Sequence, residues 1–405
     1  MKQGWEIKKM GEVLSIERGG SPRPIEKYMT NSPDGINWIK ISDATVSDKY
    51  IYETKEKITK DGLNKTRVVN EGDFILSNSM SFGRPYIMKT TGCIHDGWLV
   101  LKENGKKIFE TEFLYYLLSS PFVFQQFNSK AAGSTVRNLN IALVSSVNVP
   151  IPPLPEQIRI VSILDEAFSA ITKAKANAEQ NLKNAKELFE SYLQGVFENK
   201  GEGWEEKTLG EVLIKTETVD PTKKPNLEFI YLDVSSVNKE TKEIENATVL
   251  LGKDAPSRAR KLVRTNDVIF ATVRPTHSRV AIITEEYDEQ VCSTGYFVLR
   301  SKEFLSNNLV YYFLLTYSFN KQMEKLQKGA SYPAVTDSEV KGILISFPKS
   351  INEQKIIVKK LKALSTETKK LEAIYKQKIN DLEELKKSVL QKAFSGELKT
   401  AKALV

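Results

Sequence analysis

The sequence predicts an α+β protein: two globular modules in tandem, pseudo-symmetric repeat, separated by two long antiparallel coiled-coil helices. Three observations predict it. The chain repeats itself at a nearly constant offset, the apolar periodicity changes once within each repeat, and each repeat ends in a heptad run. GWEIKKMGEVL, Gly4 to Leu14, returns as GWEEKTLGEVL, Gly203 to Leu213, 199 residues on. GDFIL (Gly72 to Leu76) answers NDVIF (Asn266 to Phe270), Tyr115-Tyr116 answers Tyr311-Tyr312, Glu156-Gln157 answers Glu353-Gln354, and LQGVF (Leu193 to Phe197) answers LQKAF (Leu390 to Phe394). Across these pairs the offset stays between 194 and 199, so the halves share one layout with small insertions.

In order along each half, short alternating or β-branched runs such as GINWIKIS (Gly35 to Ser42) and RVAIIT (Arg279 to Thr284) lie between Gly, Pro and Asn, which reads as strands and loops. One aromatic, apolar stretch per half, Glu112 to Ser120 and Asn308 to Thr316, predicts a buried helix. PIPPLPEQ (Pro150 to Gln157) then sets prolines before a helix start, where a missing N–H costs nothing. The heptad seam follows: Leu164, Phe168, Ile171, Leu182 and Phe189 in the first copy, Leu361, Leu364, Leu371, Leu382 and Val389 in the second, broken at Lys175, Thr368 and Lys378. At ~1.5 Å per residue each helix reaches roughly 60 Å. The expected domains are residues 1–150, a helix over 151–200, a second module over 201–348 and a second helix over 349–405.

Composition removes several classes. The 405 residues carry a net charge of +8, 40% are apolar, and there are two cysteines and two histidines. A disordered chain, a disulfide scaffold and a Cys/His zinc site are thereby excluded. No apolar run has bilayer length, and the first ten residues lack a signal-peptide core, so a soluble cytoplasmic protein is expected. The charge divides as +4, −1, −2 and +7 over the four segments, so the last helix holds most of it. No phosphate-cradling, nucleophile-elbow or zinc-protease motif is present, which leaves an enzyme reading without a catalytic constellation.

Recognition remains. Basic and small hydroxyl residues cluster at matching places in the two modules, a pattern suited to phosphates and base edges. The candidate contacts are Lys65, Arg67, Ser79, Ser81, Arg84, Ser134, Thr135 and Arg137 in the first. In the second they are Arg258, Arg260, Arg274, His277, Arg279, Ser331 and Tyr332. Lys253 to Arg279 holds seven basic residues against two aspartates. Arg84 and Arg279, each after the small-residue loop that follows a G-D or N-D strand, are the expected groove readers. The alternative is that they pair with carboxylates of their own module.

Together and in order, these features carry a resemblance: the twice-used G-W-x-x-x-x-x-G-E-V, WIKISD (Trp38 to Asp43), G-D-F-I-L-S…F-G-R (Gly72 to Arg84), A-G-S-T-x-x-N-L (Ala132 to Leu139) and P-x-P-P-L-x-E-Q. Over nearly its whole length the chain resembles the DNA-specificity subunit of type I restriction-modification enzymes. The resemblance implies two target-recognition domains, each reading half of a split, asymmetric site in double-stranded DNA, with the helices as spacers. It further implies two methyltransferase subunits as partners and nuclease or translocase subunits that join them. S-adenosylmethionine, ATP and magnesium belong to those partners, with no cofactor, metal or catalytic residue in this chain. The second half departs from the pattern, with Pro348 alone before KSINEQ and a loop reading GASYPAV (Gly329 to Val335). A noncatalytic coiled-coil adaptor that binds proteins stays open as the alternative, with a self-contained nuclease the weakest reading.

Overall fold

The computed structural model describes residues 3–78, 82–131 and 138–398. The chain forms two compact units, Met1–Asn177 with Lys378–Val405, and Ala178–Gln377. Each unit therefore contains one half of each long helix.

In the first unit, a five-stranded sheet runs in the order Leu14–Arg18, Trp98–Glu103, Phe74–Ser77, Pro85–Met88, Tyr50–Ile51. A second five-stranded sheet contains Ile36–Ile39 and Gly92–Ile94 at its middle. Strand alternation sorts the side chains of the first sheet into two cores. Ile75, Trp98 and Val100 pack with Ile39, Val69 and Ile94 of the second sheet. Leu76, Leu99 and Leu101 face Phe113 and Leu117 of the helix Thr111–Leu118, together with Phe127 of Pro121–Ala131. The GINWIKIS run is shorter as a strand than its pattern predicts: the Asp43 carboxylate accepts the Lys40 N–H at 2.8 Å and turns Ile41–Ala44 into a single helical turn.

The second unit repeats the plan with shorter sheets. Val268–Ala271 lies between Val280–Ile282 and Tyr296–Leu299, and Glu228–Leu232 lies between Thr248–Leu251 and Val291–Ser293. The aromatic helix is Asn307–Leu314, followed by Tyr317–Leu326. Cys93 and Cys292 are free and buried among these strands, and burial pushes their thiols up to about 11 and about 12.

The long helices are Leu154–Glu198 and Ile351–Ser395, each of 45 residues without a break. In the first unit the beginning of one meets the end of the other: Ile160 and Leu164 share a core with Leu390, Ala393 and Phe394, and the Phe394 ring meets Phe113 at 5.4 Å. Lys175, a break in the apolar pattern, is ion-paired with Glu383. In the second unit the roles reverse, with Leu193 and Phe197 sharing a core with Leu361. The pairing is antiparallel in both. Of the seam residues, Leu164, Ile171 and Leu361 are buried, while Phe168, Leu182, Phe189, Leu364, Leu382 and Val389 are half-buried. Leu371 departs from the expected seam at 38% exposure. The inward stripe passes instead through buried Thr368, then Glu372, Tyr375 and Ile379. Thr368 tolerates burial because its hydroxyl donates to the Leu364 carbonyl at 2.9 Å.

One residue ties module to helix in each unit. Gln157 is fully buried, accepts the Glu110 N–H at 2.8 Å and donates to the carbonyls of Ile108 and Pro152, both at 2.9 Å. Gln354 does the same 197 residues later, accepting from Ser306 at 2.8 Å and donating to Phe304 at 2.9 Å and Pro348 at 2.8 Å. Only an amide supplies one acceptor and two donors at that place. Gln157→Leu and Gln354→Leu are each expected to cost about 2 to 4 kcal/mol, because three buried backbone groups lose their partner. Urea unfolding curves that match wild type would contradict this.

Candidate nucleic-acid interface

In the second unit the strand Val268–Ala271 runs into a loop that no ordinary turn explains. Arg274 (φ 50°, ψ 57°) and Ser278 (φ 48°, ψ 46°) both adopt the left-handed conformation and bracket the turn Pro275–His277. For a residue with a Cβ this costs about 1 to 2 kcal/mol each, so the surroundings must hold it. Arg274 N–H donates to the Pro333 carbonyl at 2.7 Å, and Asn320 Nδ2 donates to the Thr276 carbonyl at 3.1 Å and to Ser278 Oγ at 2.7 Å. Lys242 Nζ donates to the Ser278 carbonyl at 2.7 Å.

The GASYPAV segment folds over the same place. Gly329 has φ +101°, a conformation that glycine alone adopts without strain, and Lys328 and Ala334 exchange backbone hydrogen bonds at 2.9 Å. The tip so formed holds Tyr332 72% exposed, with the Arg274 guanidinium 4.9 Å from its ring centre. Arg274 also donates to the Ser331 carbonyl at 3.4 Å. His277 is exposed beside them, and its imidazole is held below its usual pKa by partial burial and by the neighbouring Lys239, Arg274 and Arg279. Arg274, His277, Ser331 and Tyr332, four of the seven candidates of this module, are thus brought together on a loop whose backbone is hydrogen-bonded from Pro333, Asn320 and Lys242.

The other three divide. Arg258 is exposed and makes no ion pair among the described residues, while Arg260 lies 3.6 Å from Asp220. Arg279 corrects the sequence expectation: its guanidinium turns inward and donates to the Val237 carbonyl, so it braces the loop while Arg274 is presented. The basic strip is also less positive than its composition. Lys261 pairs with Asp337 at 2.8 Å, and Arg264 with Glu217 at 3.3 Å and Glu289 at 3.7 Å.

In the first unit Ser79, Ser81, Ser134, Thr135 and Arg137 lie outside the described residues. Lys65 donates to the Tyr28 hydroxyl at 2.6 Å, and Arg67 pairs with Glu17 at 2.8 Å. Arg84 takes the alternative that the sequence left open, pairing with Asp48 at 2.7 Å over the Tyr86 ring. The structure adds residues the sequence reading missed. Arg18 donates to the Asp96 carbonyl at 3.0 Å, and Arg23 stands 81% exposed, 3.7 Å from the Asp96 carboxylate. Asn78, which leads into residues 79–81, donates to the same carbonyl at 2.7 Å. The Asp96 carboxylate accepts Ser21 Oγ at 2.8 Å, which holds its pKa below the usual range. The signal was RGGSPR, Arg18 to Arg23: a side chain at Gly19 would meet the His95 carbonyl at 2.1 Å, so the backbone passes too close for any Cβ. Among the described residues no group of His, Cys, Asp or Glu is arranged to hold a metal, and no helix is long and apolar enough to cross a membrane.

Two copies of one α+β module, each ending in a long helix and each carrying arginines beside small hydroxyl residues, define a tandem-repeat recognition protein. The chain belongs to the family of the type I restriction modification DNA specificity domain, whose pattern it matches twice, over residues 2–181 and 201–384. It is 22% identical to the type I restriction enzyme MjaVIII specificity subunit of Methanocaldococcus jannaschii, over 98% of this chain and 93% of that one. It is 23% identical to the EcoKI specificity subunit of Escherichia coli, over 98% and 90%. A solved structure described as showing complex assembly and conformational transition of the type I R-M system superposes with a TM-score of 0.79 at 20% identity, covering 98% of this chain and 99% of that one. The HsdS subunit from Thermoanaerobacter tengcongensis gives 0.64 at 20% identity, covering 98% of both.

The strain at Arg274 is separable from its role. Arg274→Gly is expected to melt at or slightly above the wild-type temperature, since glycine removes about 1 kcal/mol of left-handed strain. A loss of several degrees in Tm would show that the guanidinium contacts outweigh it.

Proposed function

We propose that this chain is the sequence-reading, noncatalytic subunit of a type I restriction-modification complex. Each unit reads one half of a split, asymmetric site in double-stranded DNA, and partner methyltransferase subunits, joined by nuclease or translocase subunits, carry out the chemistry. The observation that carries this reading is Arg274: it is exposed, makes no ion pair among the described residues, is set by a strained backbone and lies against exposed Tyr332. Strained residues persist where the surrounding structure over-determines them, and such places concentrate at functional sites. A preset guanidinium suits the paired acceptors of guanine.

Partner docking is supported by apolar residues on the outer face of the second long helix. Ile356 and Ile374 are 56% and 58% exposed beside Leu371. The two relatives from Methanocaldococcus jannaschii and Escherichia coli are specificity subunits of type I enzymes, which supports the same reading. An uninterrupted helix of 45 residues further suggests a ruler for the spacing between half-sites.

Arg274→Ala, assembled with its methyltransferase, is expected to lose about 1 to 3 kcal/mol of binding and to relax one position of the methylated motif. Long-read mapping of methylated adenines reads both, and an unchanged motif removes Arg274. Binding that is insensitive to salt and shows no DNA preference would favour the protein-binding adaptor. Inserting four residues between Ala174 and Ala178 adds ~6 Å of helix and is expected to lengthen the tolerated spacer by about one to two base pairs of ~3.4 Å each. An unchanged spacer would count against the ruler.

A further inference from the structure

The two units treat one internal place differently. In the first, Lys49 Nζ sits 4.7 Å from the Tyr115 ring and 5.3 Å from Tyr116 and donates to the Glu112 carboxylate. Tyr50 donates to the other Glu112 oxygen at 2.8 Å, and the Tyr116 hydroxyl donates to Asp165. The lysine and the hydroxyls of Tyr50 and Tyr116 thus meet two carboxylates.

At the repeat offsets of 193, 196 and 197 the second unit places Lys242, Asn308 and Lys362 where the first has Lys49, Glu112 and Asp165, while the tyrosine pair returns as Tyr311-Tyr312. Both carboxylates are gone, and one position now carries a cation. A cavity of about 370 Å³, lined by all five of these residues, lies there. Among the described residues the side chains of Asn308, Tyr311, Tyr312 and Lys362 make no hydrogen bond or ion pair, and Lys242 bonds only to backbone carbonyls, those of Lys239 and Ser278. Burial, with Arg279 and Lys369 nearby, draws the Lys242 amine down to about 8. The two carboxylates on the lining, Glu243 and Glu286, are exposed.

Four groups able to donate, without an internal acceptor among the described residues, and beside them a lysine held only by two backbone carbonyls, surround a space of small-ligand size and amount to an unfilled anion position. We propose that this cavity binds a small organic oxyanion, a phosphate monoester with an aromatic body, whose charge takes the place that the Glu112 and Asp165 carboxylates hold in the first unit. Tyr311, Tyr312 and Tyr287 supply aromatic surface for that body. The proposal is independent of the DNA reading. The two are linked physically, because Lys242 also holds the Ser278 carbonyl that closes the recognition loop.

AMP, inorganic phosphate and adenosine, each titrated into the full chain, test it. AMP is expected to raise Tm saturably by roughly 2 to 4 °C, inorganic phosphate less, and adenosine least. Asn308→Glu restores the carboxylate of the first unit, at a helix first turn where an acidic residue is favourable, and is expected to bind AMP about tenfold more weakly by calorimetry. Lys362→Ala, on an exposed helix position, should weaken it also. No response to AMP or phosphate in the wild type overturns the proposal, as does an equal response in Asn308→Glu. A loss of duplex-DNA affinity in Asn308→Glu with no AMP binding in the wild type would assign the donors to the DNA backbone and overturn it too. A chain that binds AMP but no DNA refutes the proposed function and leaves this site standing.

Discussion

The arrangement rests on a buried amide. Gln157 and Gln354 each close three backbone groups at the point where strand and loop give way to a long helix, and in each unit one of those groups is the carbonyl of a proline, Pro152 or Pro348, that lies shortly ahead of the helix start at Leu154 or Ile351. A charged residue there would be desolvated, and an apolar one would leave a donor and two acceptors without partners. The glutamine therefore fixes how the helix leaves the module, and the apolar seam, the aromatic helix packed against it and the recognition loop all depend on that exit. Its appearance twice, with matching partners, gives the two modules one construction at the exit of the helix.

The second unit shows how a surface is made selective by what is neutralised around it. Three of the seven cations of its basic strip are spent on Asp220, Glu217, Asp337 and Glu289, and a fourth, Arg279, turns inward to a backbone carbonyl. Among the described residues, what remains outward is Lys253, Arg258, Arg274 and the tip that carries Tyr332. Net charge is a poor guide to such a surface, because a paired arginine contributes structure while an unpaired one contributes binding. Arg279 illustrates the difference, since it stands five residues from Arg274 and points the other way.

Much of the fold was legible in the chain because repeats and periodicity are local. The offset of 194 to 199 predicts two modules, the heptads predict the helices, and the Pro-Pro and Glu-Gln signals place their starts. Leu371 was misplaced because the stripe steps by four after Thr368, and a threonine that bonds its own helix behaves as a seam residue no apolar pattern would include. The site was less legible. Side-chain type cannot say whether an arginine meets a carboxylate from a distant strand, as Arg84 meets Asp48, nor that Arg18 and Arg23 converge on a turn more than seventy residues away.

Sequence alone determined the class of architecture, the tandem repeat and the family, because these are written in spacing, and spacing survives when most side chains change. Tertiary structure alone decided which cations are presented. That depends on pairings between residues far apart in the chain and on a left-handed backbone at Arg274 and Ser278 that contacts from Pro333, Asn320 and Lys242 hold in place. It also decided that one lysine of the repeat meets a carboxylate and its counterpart only backbone carbonyls, since that difference lies in what two other helices place opposite it.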